Sequence, residues 1–351
     1  MLSKRQELIL KMIINVFNKT QQPVGSKTLM DELTIQVSSA TIRNEMAKLE
    51  ELGLIEKTHS SSGRVPSNKG YRYYLDYLLQ PTDMPENLHE KLQMDFNQQF
   101  QRIDDIVSRS AKILSDLTSY TAFVASPEIQ FCRITEFRIV PLSNHQMMAI
   151  LVTSDGDVKN QLYRLPDDVS VKELESLVKK INVAVKGKTL HEVSSYSSAK
   201  FISLLGVEED TASLILLQLL KDVFKPVETD QLFVNGELNL LNNYSNLDDL
   251  DNLKSLYQLL SHPEIFSDLI HENSLNNPAF SVHVRLGDEL PLDLLKDYSL
   301  LTATYEVGDF GNGIVALLGP TNMPYSQMIS LMNYFKEELA DQLLDYYSKF
   351  R

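Results

Sequence analysis

Residues 4–66 constrain the fold most tightly, because three stretches of helical periodicity, each closed by a breaker, run straight into a short polar hairpin. Leu8, Ile9, Met12, Ile13, Val16 and Phe17 fall in i, i+4 pairs that make one apolar stripe over residues 4–19. Pro23-Val24-Gly25-Ser26 ends that helix, and Ser26 is a fair N-cap for a short second one holding Leu29 and Leu33. Beyond the 34–37 connection, Ser38 and Ser39 cap a third helix running to about residue 52, with Gly53 as its stop. Residues 54–58 then read as a strand, 60–63 as a turn, and Arg64-Val65 as the returning strand before Pro66. Helix, helix, helix, hairpin is the order of a winged helix-turn-helix, here expected over residues 1–80.

The third helix carries the most chemical information. At 100° per residue Ile42, Met46 and Leu49 share one narrow arc, which belongs to the core. Opposite them stand Ala40, Asn44 and Ala47, with Arg43 on one shoulder and Thr41 and Lys48 on the other. Small alanines let a helix descend into a major groove about 12 Å wide, and Arg and Asn read guanine and adenine edges through paired hydrogen bonds. Arg43, Asn44 and Thr41 are therefore the candidate base readers. Ser26, Lys27, Ser38, Ser39 and Lys48 are the candidate phosphate contacts, the serines through free N–H groups at helix starts. In the hairpin, Lys57, His59, Ser61, Ser62 and Arg64 form a wing with three potential cations and no carboxylate between residues 57 and 64. A solvated amphipathic helix and a flexible Ser-Ser-Ser-Gly tip are the bland alternatives; the order of the elements favours the DNA-reading one. The tyrosines of Gly70-Tyr71-Arg72-Tyr73-Tyr74-Leu75-Asp76-Tyr77 are expected to pack a helix against the first three, rather than to stack on bases.

Charge supports the same division. The net charge of −14 hides a split: residues 1–80 carry 11 Lys/Arg against 8 Asp/Glu, and the remainder 22 against 39. An acidic bulk repels phosphate, which confines any DNA contact to the first segment. At 351 residues the chain is too long for one ordinary core. Its single cysteine, Cys132, fits a reducing compartment. With no secretion signal and no run of eighteen apolar residues, a cytoplasmic location without membrane attachment is expected.

Past a linker at 80–85, residues 86–120 read as one long acidic helix, with Leu92, Phe96, Phe100, Ile103, Val107 and Leu114 at helical spacings. Strands follow at 134–140, 147–153 and 158–165, then mainly helical sequence over 166–224 and a strand at 232–241. Helices at 247–260 and 264–271 lead to strands at 280–286, 300–307 and 314–318 and a closing helix over 325–347. Strands at both ends of a helix-rich middle suggest an α/β domain with a second domain inserted in it, an α+β multidomain chain overall. The domains are drawn at 86–165 with 246–351, and at 166–245 for the insert. In residues 214–224 the apolar side chains cover most of a helix circumference. Leu216, Leu217, Leu220 and Phe224 are assigned to a dimer interface, with an ordinary buried core helix as the alternative.

Several chemistries find no footing. Gly308, Gly311 and Gly313 lie between two strands and read as a turn, not as a dinucleotide fingerprint. The seven histidines show no metal spacing, and no nucleophile triad, carboxylate pair or phosphate loop stands out. Neither an enzyme nor a cofactor is expected.

Val37-Ser38-Ser39-Ala40-Thr41-Ile42-Arg43-Asn44-Glu45-Met46, then Leu49-Glu50-Glu51-Leu52-Gly53-Leu54, resembles the heat-inducible transcription repressor family, HrcA. So do Ser62-Gly63-Arg64-Val65-Pro66-Ser67 with Lys69-Gly70-Tyr71-Arg72-Tyr73, and Leu318-Gly319-Pro320-Thr321-Asn322-Met323-Pro324-Tyr325-Ser326 near the end. The resemblance implies a GAF-like fold for the α/β domain and a dimerising role for the mainly helical insert. It further implies repression of chaperone operons through an inverted-repeat operator, bound as a homodimer, with the GroE chaperonin as a modulating partner. A metabolite-sensing winged-helix regulator, an enzyme with a DNA-binding appendage and a protein-binding adaptor are the alternatives. No residue identifies a small ligand, and fold alone does not supply one.

Overall fold

The structure, a computed structural model, describes residues 2–32, 38–57, 63–80, 82, 84, 86–96, 100, 102–127, 133–143, 146–154, 156, 158–164, 171–206, 223, 232–242, 250–260, 262, 265–266, 269–270 and 282–349. Two compact units divide the chain: Met1–Val124 with Leu232–Tyr305 and Ile314–Leu339, and Ala125–Gln231 with Glu306–Gly313 and Ala340–Arg351.

The first unit begins with α1 (Lys4–Thr20), opened by a capping box: Gln6 N–H donates to Ser3 Oγ, and Ser3 N–H returns a bond to Gln6 Oε1. Its buried face, Ile9, Leu10, Ile13, Ile14 and Val16, packs against α2 (Ser26–Glu32) and α3 (Ser39–Glu51); it is rotated from the expected stripe, since Leu10 and Ile14 are buried while Leu8, Met12 and Phe17 are only half-buried. Strands β1 (Ile55–Lys57) and β2 (Arg64–Pro66) pair antiparallel with Lys57 opposite Arg64, and Val24 bridges to Arg64 through two backbone bonds of 2.8 and 3.0 Å. Helix α4 (Asn68–Tyr73), capped by Ser67 and continued by a π turn (Tyr74–Leu78), follows the hairpin. Tyr71 and Tyr74 of this segment are buried, as expected of packing tyrosines.

The same unit holds α5 (Glu86–Phe96), α6 (Ile103–Thr118), β3 (Thr121–Ala125), β7 (Leu232–Asn235), α10 (Glu237–Asn242), α11 (Leu250–Leu260), β8 (His283–Leu286), β9 (Tyr298–Glu306), β10 (Asn312–Pro320) and most of α12 (Tyr325–Ser348). The strands form one sheet in the order β7-β3-β10-β9-β8. β9 and β10 are buried almost throughout, the mark of central strands covered on both faces.

Two expectations change here. The helix expected over 86–120 is two helices, α5 and α6, because Arg102 is extended at φ −137° and ψ 150°. The strand expected over 232–241 stops at Asn235: Gly236 takes φ +80°, and a Cβ there would fall on Ser115 Oγ. The chain then turns into α10, whose Asn239 donates to Ser115 Oγ and the Tyr120 carbonyl, both at 3.1 Å.

α12 also anchors the linker after the winged helix. Ser326 Oγ donates to the Gln80 carbonyl (2.7 Å), and Ser330 Oγ to the Thr82 carbonyl (2.6 Å). One turn on, Gln93 donates to the Tyr334 hydroxyl at 3.1 Å, and the His89 ring lies 4.2 Å from the Tyr334 ring. Tyr71 meets Tyr325 edge-on, ring centroids 5.8 Å apart. The Tyr71 hydroxyl donates to Asn18 Oδ1 (2.6 Å); that of Tyr325 donates to the Thr321 carbonyl (2.5 Å) and accepts from Ser299 (2.7 Å).

Burial pushes both phenols well above the ordinary tyrosine range, and for Tyr71 the Tyr325 phenol adds to the shift. Unfolded tyrosine ionises near pH 10, so the stability these groups lend is fully present below about pH 10 and is lost as the pH rises beyond it. Melting temperatures measured from pH 8 to 11.5 should fall in the upper half of that range, and Tyr71→Phe should shrink the fall. An identical alkaline profile for the variant would exclude Tyr71 as a source.

In the second unit β4 (Ile134–Ser143), β5 (Gln146–Thr153) and β6 (Val158–Arg164) make an antiparallel meander. One face, with Phe137, Met147, Ala149 and Leu151, shares a core with Leu174, Leu177 and Ile181 of α7 (Val171–Val185) and with Val193 and Phe201 of α8 (Leu190–Ser194) and α9 (Ser198–Leu205). The Asn182 amide accepts from Phe137 N–H (2.8 Å) and donates to the Phe137 carbonyl (2.6 Å), fastening α7 to β4. The expected boundary at residue 165 is therefore not where the compact units part: the meander goes with α7–α9, not with the five-stranded sheet, because its buried face packs on α7. Leu216, Leu217, Leu220 and Phe224 lie outside the described residues, as does Cys132.

Candidate nucleic-acid interface

α3 starts at Ser38, whose Oγ accepts from Thr41 N–H at 3.2 Å and lies 2.9 Å from Thr41 Oγ1. Burying Ile42, Met46 and Leu49 turns Ala40, Arg43, Asn44, Ala47 and Lys48 outward, and all five are exposed. Thr41 and Ser39 sit half-buried beside them. This is the face expected from the sequence, with alanines at its centre and hydrogen-bonding side chains around them.

Ser26, Ser39 and Arg43, which belong to two helices, come together. Ser26 Oγ lies 3.0 Å from Ser39 Oγ, and Arg43 Nε donates to Ser26 Oγ at 3.3 Å. The start of α2 thus orients the Arg43 side chain while leaving it exposed. Lys27 is exposed at the same helix start. Lys48 pairs with Glu45 at 3.6 Å but keeps over half its side chain in solvent, and Glu45 in turn accepts from Gln6 Nε2 at 3.0 Å.

In the wing, Lys57 is exposed. His59, Ser61 and Ser62 lie outside the described residues. Arg64 occupies a different position from an outward wing cation. Its Nε and Nη2 both reach Glu50 Oε2 at 2.8 Å, its Nη1 donates to the Gly63 carbonyl at 3.2 Å, and only a fifth of the side chain is exposed. It braces the hairpin against the last turn of α3. Glu50 as the partner had no signature in the sequence, since fourteen positions separate the two. Arg72 is a second residue whose partner, Glu289, has no signature near it in the sequence.

Three packed helices, an outward polar third helix and a short two-stranded hairpin define a winged-helix DNA-binding domain. The comparisons with known proteins carry the assignment to a particular family. Residues 1–76 match the family model described as "Winged helix-turn-helix transcription repressor, HrcA DNA-binding", and residues 104–329 match "HrcA protein C terminal domain". The heat-inducible transcription repressor HrcA of Lactobacillus delbrueckii subsp. bulgaricus is 54% identical over 351 residues, and that of Lactobacillus gasseri 53% over 355, each alignment covering 100% of both chains. The Enterococcus faecalis protein of the same name is 42% identical, covering 99% of each chain. A crystal structure of a hypothetical protein shares the fold, with a TM-score of 0.59 and 23% identity over 99% of this chain and 100% of that one. The chain belongs to the heat-inducible transcription repressor HrcA family: it is a DNA-binding repressor of the heat-shock response and not an enzyme. Among the described residues no helix is long and apolar enough to cross a membrane.

Proposed function

We propose that the protein represses chaperone operons in the cytoplasm as a homodimer, each subunit laying α3 into the major groove of one half of an inverted-repeat operator. The observation that carries this reading is the exposed α3 face, with Arg43 held by Ser26 at the start of α2. Arg43, Asn44 and Thr41 read bases. Ser26, Lys27, Ser38, Ser39 and Lys48 hold phosphates, and Lys57, His59, Ser61 and Ser62 extend the contact through the wing. Arg64 supports the wing from behind, through Glu50. Leu216, Leu217, Leu220 and Phe224 form the subunit interface on the strength of their surplus apolar surface. GroE modulates the repressor, capturing that surface when the dimer opens. Family membership supports the operator and the chaperonin, and the apolar pattern supports the dimer. The 134–164 meander with residues 171–206 and the 216–224 segment serves as the inserted dimerising domain, and the five-stranded sheet with its helices as the GAF-like one.

Replacing Arg43 or Asn44 by alanine is expected to cost about 1–3 kcal/mol of operator affinity and to flatten base discrimination at one or two positions. Lys48→Ala should instead weaken all sequences alike and lower the salt slope by about one unit. Titrations of operator and random duplexes at several salt concentrations separate the two patterns. If Arg43→Ala binds both duplexes as the parent does, α3 is not the reading helix.

A further inference from the structure

Arg72 lies on α4, outside α3, and each of its three guanidinium nitrogens donates a hydrogen bond. Nε donates to Glu289 Oε1 (2.8 Å), Nη2 to Glu289 Oε2 (2.5 Å) and to the Val284 carbonyl (2.8 Å), and Nη1 to Asp76 Oδ1 (3.3 Å). Only Asp76 belongs to the winged-helix segment. The other acceptors sit on β8 and on the turn that follows it, over two hundred positions away in sequence. Glu289 is itself fixed: its Oε2 accepts from Leu286 N–H at 2.9 Å, and its carbonyl accepts from Arg285 Nε and Nη2 at 3.2 and 2.9 Å. A planar fork meeting a carboxylate that cannot rotate defines an angle as well as a distance.

Other bonds tie the same pieces, among them that of Asn322 Nδ2 to Gln21 Oε1. Asn68 Nδ2 donates to Asp288 Oδ2 at 2.8 Å, and Asn18 Nδ2 to the Met323 carbonyl at 3.0 Å. The Arg72–Glu289 pair leaves 32% and 39% of its side chains exposed, so as an ion pair it adds little stability. Its consequence is geometric.

We propose that Arg72 is a positioning residue for operator recognition: by docking on Glu289 and Val284 it fixes the angle at which the winged helix leaves the α/β body, and so sets the half-site separation that the dimer reads. The proposal rests on the dimeric operator reading above. It separates two properties that a winged helix on a loose tether would not join: affinity for one half-site, set by α3, and preference for one spacing, set by Arg72.

The test uses full-length parent, Arg72→Met and Glu289→Gln, titrated against an isolated half-site and against inverted repeats whose spacing changes in single steps over half a helical turn, about 5 bp. The parent should show one sharp optimum. Both variants should bind the isolated half-site as the parent does, lose about tenfold at the parental optimum and show a flattened spacing profile, because a variable angle lowers the effective concentration of the second winged helix. Glu289→Gln keeps the shape of the turn, so the test survives if Arg72→Met does not fold. Variants that retain the parental profile would overturn the proposal. So would variants that bind every spacing more tightly, which would make the pair a lock against DNA. A parent with no spacing preference would instead sink the dimeric operator reading, and the proposal with it.

Discussion

Gly70→Ala should destabilise the winged helix by about 3 kcal/mol, the upper end of what overpacking ordinarily costs. A Cβ at Gly70 would lie on the Leu54 carbonyl oxygen, and that oxygen already accepts Ser67 N–H at 3.2 Å. The atoms that would have to move are therefore backbone on both sides. The Ser67 side chain closes the same junction, with its Oγ accepting from Gly70 N–H at 3.1 Å and donating to the Gly53 carbonyl at 2.6 Å. Relieving the clash means parting α4 from the lead into β1, with loss of a helix cap and a buried bond together. Urea unfolding should show a lower midpoint with an unchanged slope. A variant as stable as the parent would mean that α4 can shift away at no cost.

Adding half a helical turn between the operator half-sites, about 5 bp, should cost a factor of about 10² to 10⁴ in affinity. Such an insertion turns the second half-site to the opposite face of the duplex. A winged helix on a flexible leash could follow it. Here the linker is bonded to α12 through Ser326 and Ser330, and α4 is docked through Arg72, so little slack is available. Binding to a single half-site should be unaffected, which supplies the internal control. Equal affinity for the native and the expanded operator would show that the subunits bind independently.

Much of the winged helix was legible in the sequence because its determinants are local. The stripe of α1, the Ser38 cap and the three apolar positions of α3 are periodicities within one element, and they fix which face of α3 turns outward. The break between α5 and α6 was not legible, because Leu92, Phe96, Phe100 and Ile103 keep helical spacing across it. Arg64 read as a free wing cation until the fold brought Glu50 to it, and nothing near Arg72 in sequence points to Glu289. Strand β5 alternates as any half-buried strand does. Only the packing of the meander on α7 decides which unit it joins, and that packing depends on side chains far along the chain.

The bonds from α12 to the linker bear on how repressors of this kind exchange their DNA-reading heads. A chimera that took residues 1–80 from a distant relative would keep the Ser326 and Ser330 bonds, because their acceptors are main-chain carbonyls at residues 80 and 82 that any residue supplies. The stricter condition is set by side chains: Asn68 and Arg72 of the incoming head must find Asp288 and Glu289 on the body. A change of head by recombination would have to preserve both of these pairs, whose members lie over two hundred positions apart in the sequence.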